Sequence, residues 1–105
     1  MVNKDQLLAL LSRHIGEANG ITAERITLAL GTPRRHVRTL VSELRMEGVA
    51  VCGTPRDGYF IAANALELEN TCAFLRSRAL HSLMLESRLR GVPFEDLVGQ
   101  LRLPT

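Results

Sequence analysis

Apolar residues recur at helical spacing from the start of the chain. Leu7 and Leu11 fall on one face and predict a first helix from about Asn3 to Ile15. Asn3 and Gln6 stand at the spacing of a capping box, in which each side chain bonds the other residue's backbone N–H. The N-terminal segment is therefore predicted to be an amphipathic helix with a well-marked start.

Two more helices are predicted after a polar loop, with very little chain between them. The second helix begins after the cap Thr22 and ends at Gly31. Thr32 and Pro33 then start another helix at once, with threonine at the cap and proline at the first helical position, where its missing N–H costs nothing. So short a connection predicts a sharp turn between the two helices.

The third predicted helix, from Pro33 to about Glu47, separates apolar and polar residues onto opposite faces. The apolar arc consists of Val37, Leu40, Val41 and Leu44. The opposite face consists of Arg35, Thr39, Ser42 and Met46, flanked by His36 and Arg38, with Arg34 near the N-terminal end. The apolar arc is expected to anchor this helix in the core and to leave the polar face outside.

Two β-type runs follow, Val49–Cys52 and Tyr59–Ala62, separated by a turn-rich stretch that contains Asp57 and Gly58. They predict a β-hairpin with Arg56 at its tip. An isolated hairpin is not stable, so it must pack on the helices. The residues expected to make that contact are Val49, Val51 and Phe60 or their alternates, with Tyr59 more typical of a core residue than of a phosphate ligand.

A long helix is predicted from Asn64 to the residue before Gly91, because this stretch holds no glycine or proline and opens on the capping box Asn64 to Glu67. It has two apolar stripes. One contains Ala65, Leu68, Cys72, Leu75, Ala79 and Leu83, and the other contains Leu66, Ala73, Leu80 and Met84. One stripe is expected to fold back on the body and the other to meet a second copy or another partner.

A short last helix is predicted over residues 92–103, before the chain end at Pro104 and Thr105, with Phe94 among its docking residues. The predicted interface with a second copy or a protein partner consists of Leu66, Ala73, Leu80, Met84 and Phe94. The chain is thus expected to be one compact unit, with a body at 1–63 and a dimerisation or docking extension at 64–105.

The order of elements and the residues of segment 21–49, ITAERITLALGTPRRHVRTLVSELRMEGV, resemble the winged helix-turn-helix family of DNA-binding domains. The sequence GYFIA at 58–62, followed by a long helix, is more loosely similar to small phage and plasmid proteins with this domain. The resemblance implies a mainly α fold with a small β-hairpin wing, in which the third helix is the recognition helix. It covers roughly residues 4–62 and assigns no role to residues 64–105.

Charge is concentrated where the resemblance places the DNA contacts. The chain has 13 basic and 11 acidic residues, and the resulting net charge of +2 lies wholly within residues 34–58. A nucleic-acid footprint and a solvated polar face both explain such an excess. Taken with the glycine turn, the cap and the hairpin, the basic excess favours double-stranded DNA as a partner.

The predicted DNA contacts fall into two groups. Those expected to read bases are Arg35, Arg38, Thr39 and Ser42, and those expected to hold phosphates are Arg34, Arg45 and Arg56, with the free N–H groups around Thr32. His36 borders the exposed face, where it either contacts DNA or points into solvent.

Other function classes find little support in the sequence. No nucleophile with a base, phosphate-binding glycine loop or metal-binding motif is present, so neither an enzyme nor a cofactor or metal site is predicted. Cys52 and Cys72 stand alone and are expected to be reduced. No apolar run is long enough to cross a membrane and the N-terminus does not resemble a secretion signal, which predicts a cytoplasmic protein.

The sequence therefore predicts a dimeric, sequence-specific DNA-binding protein, a repressor-like transcriptional regulator of phage, plasmid or mobile-element type. The alternative is a winged-helix interaction module that docks a replication, transcription or defence complex through its C-terminal helices.

Overall fold

The computed structural model describes residues 1–101 of the chain, which is mainly helical with one small sheet. The helices in this range are α1 (Lys4–Leu11), α2 (Ala23–Leu30), α3 (Arg34–Met46), α4 (Ala65–Arg90) and α5 (Phe94–Gln100). The strands β1 (Val51–Thr54) and β2 (Gly58–Ile61) pair antiparallel, and a 3₁₀ turn spans Glu17–Asn19. The chain divides into two compact units after Thr71, within α4 rather than at the predicted boundary ahead of it.

The core of the first unit lies between α1, α2, α3 and one face of the hairpin. Its buried members are Leu7, Leu11, Ile21, Ala23, Ile26, Val37, Leu40, Val41, Leu44, Val51 and Tyr59. The four residues of the predicted apolar arc of α3 are all among them, so that prediction is confirmed. Full burial of a Val, Leu or Ile side chain stabilises the fold by about 1.5–3 kcal/mol, and α3 is therefore firmly anchored by its inner face.

The start of α1 is confirmed and its end is not. Asn3 accepts the N–H of Gln6 at 3.0 Å, and Gln6 accepts the N–H of Asn3 at 2.9 Å, which completes the predicted capping box. The helix ends at Leu11, so its predicted extension to Ile15 is wrong. Ile15 is exposed and forms a β-bridge with Ile61 instead. Pairing with the sheet has overridden the helical periodicity.

The segment that follows α1 covers one edge of β2. Ile61 donates its N–H to the carbonyl of His14 and accepts the N–H of Gly16, both at 2.9 Å. Ile21 and Tyr59 exchange two backbone hydrogen bonds, at 2.8 and 2.9 Å. β2 therefore lies between β1 and this segment, with hydrogen-bonding partners on both sides.

The turn between α2 and α3 is as short as predicted, but its cap differs. Thr22 caps α2, and Gly31 ends it in the left-handed conformation, with φ at 64°. Pro33 has ψ at 153°, so it is extended and is itself the N-cap of α3, which begins at Arg34. The prediction that Thr32 is the cap is therefore wrong, and its side chain is buried.

The strands differ slightly in position from the prediction. β1 begins at Val51 rather than Val49, and Val51 and Tyr59 are the hairpin residues in the core. Phe60 is buried outside that core cluster, since neighbouring residues of a strand point to opposite faces. Gly53 has φ at 88°, and a Cβ built on it would lie 2.0 Å from the carbonyl oxygen of Gly58. Only glycine fits this position.

α4 spans the range that the sequence predicts and begins with a modified capping box. Asn64 accepts the N–H of Glu67 at 2.9 Å, as predicted. The Glu67 carboxylate accepts the N–H of Ala63 at 2.8 Å rather than that of Asn64. The helix start is therefore fixed by two side-chain contacts, one from Asn64 and one from Glu67.

The second unit has little core of its own in the described residues. Leu97 and Ser87 are its buried side chains, whereas Leu75 and Leu80, one from each predicted stripe, are 41% and 46% exposed. Members of both predicted stripes are therefore exposed in the described residues. The predicted last helix is shorter than 92–103, at Phe94–Gln100, and its remainder and the predicted end at Pro104 and Thr105 lie outside the described residues.

Within residues 1–101, no helix combines the length and the apolar character needed to cross a membrane.

Candidate nucleic-acid interface

The outer face of α3 exposes polar side chains, and the helix itself is anchored in the core. Arg35, Arg38, Thr39 and Ser42 are all exposed, while the opposite face of the same helix is buried in the core. Thr39 donates its hydroxyl to the carbonyl of Arg35 at 3.2 Å, so the oxygen of that hydroxyl keeps its lone pairs as an acceptor. The four residues predicted to read bases thus lie together on one accessible surface.

Arg34 stands at the N-terminal end of this face. Its Nη2 atom lies 3.8 Å from a carboxylate oxygen of Glu24, and both side chains are more than half exposed. Ion pairs that are this long and this exposed contribute about 0–1 kcal/mol. The charge of Arg34 is therefore available to a stronger anion such as a phosphate.

The hairpin turn brings a second arginine close to Arg34. A shallow groove of about 320 Å³ is lined by Thr22, Glu24, Arg34, Pro55 and Arg56. The turn is held against the start of α2, because Ala23 donates its N–H to the carbonyl of Pro55 at 3.1 Å. Arg56 is exposed, as predicted, and the groove is flanked by two guanidinium groups.

A second groove, of about 350 Å³, lies on the other side of the start of α3. Its lining residues are Met1, Thr32, Pro33, Arg35, His36 and Thr39. Arg35 and Thr39 therefore border a concave surface in addition to the outer face of the helix. Thr32 is 8% exposed, so its side chain contributes little to an accessible contact.

His36 has a partner within the protein. Its Nε2 atom lies 2.6 Å from the carbonyl oxygen of Val2, and the residue is half-buried. The imidazole therefore ties the N-terminal segment to α3. Of the two environments considered from the sequence, free solvent does not describe this position, and a DNA contact stays a prediction.

Arg45 is likewise occupied within the fold. It donates from Nε to the carbonyl of Val51 at 2.8 Å and from Nη2 to the carbonyl of Gly53 at 3.2 Å. It is half-buried. Two of its donors are therefore used within the fold, where they join α3 to β1, and its role as a phosphate contact stays a prediction.

Tyr59 belongs to the core, the reading that the sequence favours. Burial raises the pKa of its hydroxyl, and the nearby positive charges of Arg45 and Arg38 partly offset that rise. The phenol is neutral at physiological pH and lies beneath α3. Tyr59 shares the core with the apolar face of α3, the helix that carries the arginines.

The structure thus places five of the predicted contacts on the exposed face of α3 and brings Arg56 into one groove with Arg34. The exposed residues of α3 are Arg34, Arg35, Arg38, Thr39 and Ser42, whereas Thr32 is buried and His36 and Arg45 are half-buried. Sequence reasoning missed the link that Thr71 makes to the hairpin by accepting the N–H of Gly53 at 3.2 Å. The available signal was the glycine directly after the first β-type run, which the structure includes in β1, since a glycine in a strand often marks a close approach.

The residues predicted to meet a partner through the C-terminal helices are mostly accessible. Leu66, Ala73, Leu80 and Met84 are exposed, and Phe94 is half-buried. Exposed apolar residues of α4 that the prediction did not include are Leu68, Phe74, Leu75, Leu85 and Leu89.

Comparisons of the chain with protein-family models, with curated proteins and with solved structures gave no match.

Proposed function

We propose that this protein binds double-stranded DNA through the outer face of α3, with the hairpin turn as a second contact. The observation that carries the proposal is that the two faces of α3 differ, one being buried and the other exposed. Its apolar face is fixed in the core, and its other face presents Arg35, Arg38, Thr39 and Ser42 to solvent. A helix of this kind fits the DNA major groove, which is about 12 Å wide.

Base recognition is assigned to the centre of this face. Arg35 and Arg38 carry planar forks of donors that match the O6 and N7 acceptors of guanine, and each good bidentate pair contributes about 1–3 kcal/mol of discrimination. Thr39 and Ser42 have short hydroxyl side chains that suit base edges or nearby phosphates. The proposed activity is therefore sequence-specific.

Phosphate contacts are assigned to the two arginines beside the groove. Arg34 at the start of α3 and Arg56 on the hairpin turn both line it. Contacts of this type fix the position of a protein on the duplex and carry most of the salt dependence of binding.

The arrangement of α1, α2, α3 and the hairpin is similar to a winged helix-turn-helix, with the hairpin as the wing. On this resemblance the proposed role is that of a repressor-like transcriptional regulator of phage, plasmid or mobile-element type, which acts by occupying a promoter.

A second copy of the chain is proposed as a partner of the C-terminal helices. In the described part of the second unit, Leu97 is the buried apolar side chain, while six large apolar residues of α4 are exposed: Phe74, Leu75, Leu80, Met84, Leu85 and Leu89. A unit of this size seldom folds stably without further burial. A two-fold dimer would carry two α3 helices and favour a pseudo-palindromic site.

The test is a selection of bound fragments from random duplex DNA, followed by salt titration of the selected duplex. A DNA-binding protein of this kind enriches a defined site, and the logarithm of its affinity falls linearly with the logarithm of salt concentration, with a slope of about −0.9 per phosphate contacted. Absence of binding at low salt would refute the proposal and favour the alternative of a protein-interaction module. The exposed apolar side chains of α4 are the observation that supports that alternative.

A further inference from the structure

We propose that Arg45 and Thr71 are positioning residues of the DNA interface, because they hold Gly53 from two sides and thereby fix the hairpin turn that carries Arg56. The inference rests on the proposed DNA binding and assigns how one of its phosphate contacts is held in place. Neither residue is expected to touch DNA.

The two residues bind the free edge of β1. Gly53 stands opposite Tyr59 in the hairpin, and the backbone groups of Tyr59 bond to Ile21 rather than to Gly53. The backbone groups of Gly53 therefore point away from β2. Its carbonyl accepts a hydrogen bond from Arg45 at 3.2 Å, and its N–H donates to the Thr71 hydroxyl at 3.2 Å.

Each of the two side chains comes from a helix that has further contacts with the first unit. Arg45 is on α3, and its second bond, to Val51 at 2.8 Å, fixes its guanidinium along the strand edge. Thr71 is on α4, the first turn of which is tied to the body by Glu67. Gly53 is thus held between two helices.

The position of Gly53 is transmitted to Arg56 through a stiff turn. Thr54 follows Gly53, and its hydroxyl accepts the N–H of Asp57 at 3.1 Å and lies 3.2 Å from an oxygen of the Asp57 side chain. This local hydrogen bonding closes the turn around Arg56. The turn thus has two anchors, Gly53 at its base and the carbonyl of Pro55, which accepts the N–H of Ala23 at 3.1 Å. Loss of the anchor at Gly53 leaves the turn held at Pro55 alone and is expected to change the separation of Arg56 and Arg34 across the groove.

The separation matters because hydrogen bonds between a guanidinium and a phosphate are short, about 2.7–2.9 Å. A turn that is displaced or mobile loses the Arg56 contact without any change in Arg56 itself. We call the contacts of Arg45 and Thr71 with Gly53 the clamp. Loss of the clamp is therefore expected to appear in duplex binding as a missing phosphate contact.

The experiment compares Thr71→Val with Thr71→Ser in the full chain, using the selected duplex. Valine has the shape of threonine without the hydroxyl, and serine keeps the hydroxyl. Thr71→Val is expected to weaken binding about 3- to 10-fold, the range of one net hydrogen bond. It is also expected to reduce the magnitude of the salt slope by about 0.9, the amount expected of Arg56→Ala. Thr71→Ser is expected to match the wild type.

A double mutant separates positioning from general destabilisation. If Thr71 acts through Arg56, Thr71→Val has no further effect on affinity in an Arg56→Ala background. Additive losses, or a Thr71→Val protein that keeps the wild-type affinity and salt slope, would overturn the inference and leave the proposed DNA binding intact.

Arg45→Lys provides the second arm. Lysine keeps the charge but lacks the planar fork in which two separate nitrogens, Nε and Nη2, bond the carbonyls of Val51 and Gly53. Positioning by Arg45 therefore predicts the same reduced slope as for Thr71→Val, whereas a direct phosphate contact predicts a wild-type slope. Hydrogen exchange at the Gly53 amide gives a readout that needs no DNA, and Thr71→Val is expected to accelerate it about tenfold or more. Unchanged exchange would refute the clamp. The wild-type chain could also bind no duplex while Thr71→Val accelerates this exchange. That outcome would refute the DNA-binding proposal and the positioning role, but the hydrogen bonds of Arg45 and Thr71 to Gly53 would stand.

Discussion

The carboxylate of Glu67 accepts the backbone N–H of Glu17 at 2.9 Å, across fifty residues of sequence. Its other oxygen accepts the N–H of Ala63. One side chain therefore caps the start of α4 and also fixes the 3₁₀ turn that precedes α2.

This contact predicts that the folded state loses stability at acid pH. The two N–H donors lower the pKa of Glu67 from its ordinary value of 4.5, so the folded state binds a proton less readily than the unfolded state. The resulting stability is fully present above about pH 4.5 and is lost as the pH falls through the lowered pKa. Glu67→Gln is expected to lower the melting temperature at pH 7, and the difference from the wild type should shrink on acidification. Glu69→Gln, on the same helix, is the control, and an equal effect of the two substitutions would contradict the assignment.

Two leucines of the helical body are expected to differ widely in their contribution to stability. Leu44 on α3 is buried in the core, and Leu28 on α2 is 79% exposed. Leu44→Ala is expected to lower the free energy of unfolding by about 2–5 kcal/mol through lost burial and a residual cavity. Leu28→Ala is expected to change it by less than about 0.5 kcal/mol. Denaturant titration measures both, and similar midpoints would show that α3 is not anchored as described.

Two glycines with similar backbone angles provide a second matched pair. Gly53 and Gly48 have φ at 88° and 86°, but a Cβ meets the Gly58 carbonyl in the first case and open space in the second. Gly48→Ala is expected to cost about 1–3 kcal/mol, as backbone strain alone does. Gly53→Ala is expected to cost more, because the hairpin must also move. Thermal unfolding of the two variants tests the order, which the reverse ranking would contradict.

Arg35 and Arg34 are expected to affect DNA binding in different ways. Arg35→Ala should reduce discrimination between the selected duplex and a scrambled one by about 1–3 kcal/mol. Arg34→Ala should weaken binding to both duplexes alike and reduce the magnitude of the salt slope by about 0.9. Competition binding at two salt concentrations distinguishes the two patterns. Equal effects of the substitutions on specificity would remove Arg35 from the base-reading set.

Self-association is expected to depend on the apolar residues of α4. Leu80 and Met84 are one helical turn apart and both exposed, so Leu80→Glu with Met84→Glu should shift a wild-type dimer to monomer. Leu28→Glu, an equally drastic change on an exposed leucine of α2, is the control. Sedimentation at tens of micromolar measures the result, and a monomeric wild type would contradict the dimer and with it the expectation of a palindromic site.

Local sequence patterns predicted those parts of the fold that local physics determines. The apolar arc of α3, the capping box of α1 and the long uninterrupted α4 all depend on residues within a few positions of one another. The same patterns placed Arg35, Arg38, Thr39 and Ser42 on an exposed face, which the structure shows.

The errors arose where contacts between distant segments decide the structure. His36 and Arg45 follow the pattern of solvent-facing residues, yet their partners are carbonyls of other segments, at Val2 and on β1. Ile15 continues the helical spacing of α1 but pairs with Ile61. Side-chain periodicity carries no information on which backbone carbonyls a long polar side chain will reach.

The occupied outer edge of β1 also restricts how this protein associates with others. A strand edge with free N–H and C=O groups is a template for strand addition and fibril growth. Here Arg45 and Thr71 bond the outward groups of Gly53, and Arg45 also bonds the carbonyl of Val51. Extending the sheet into another molecule would first require breaking these bonds, so this edge is protected against strand addition.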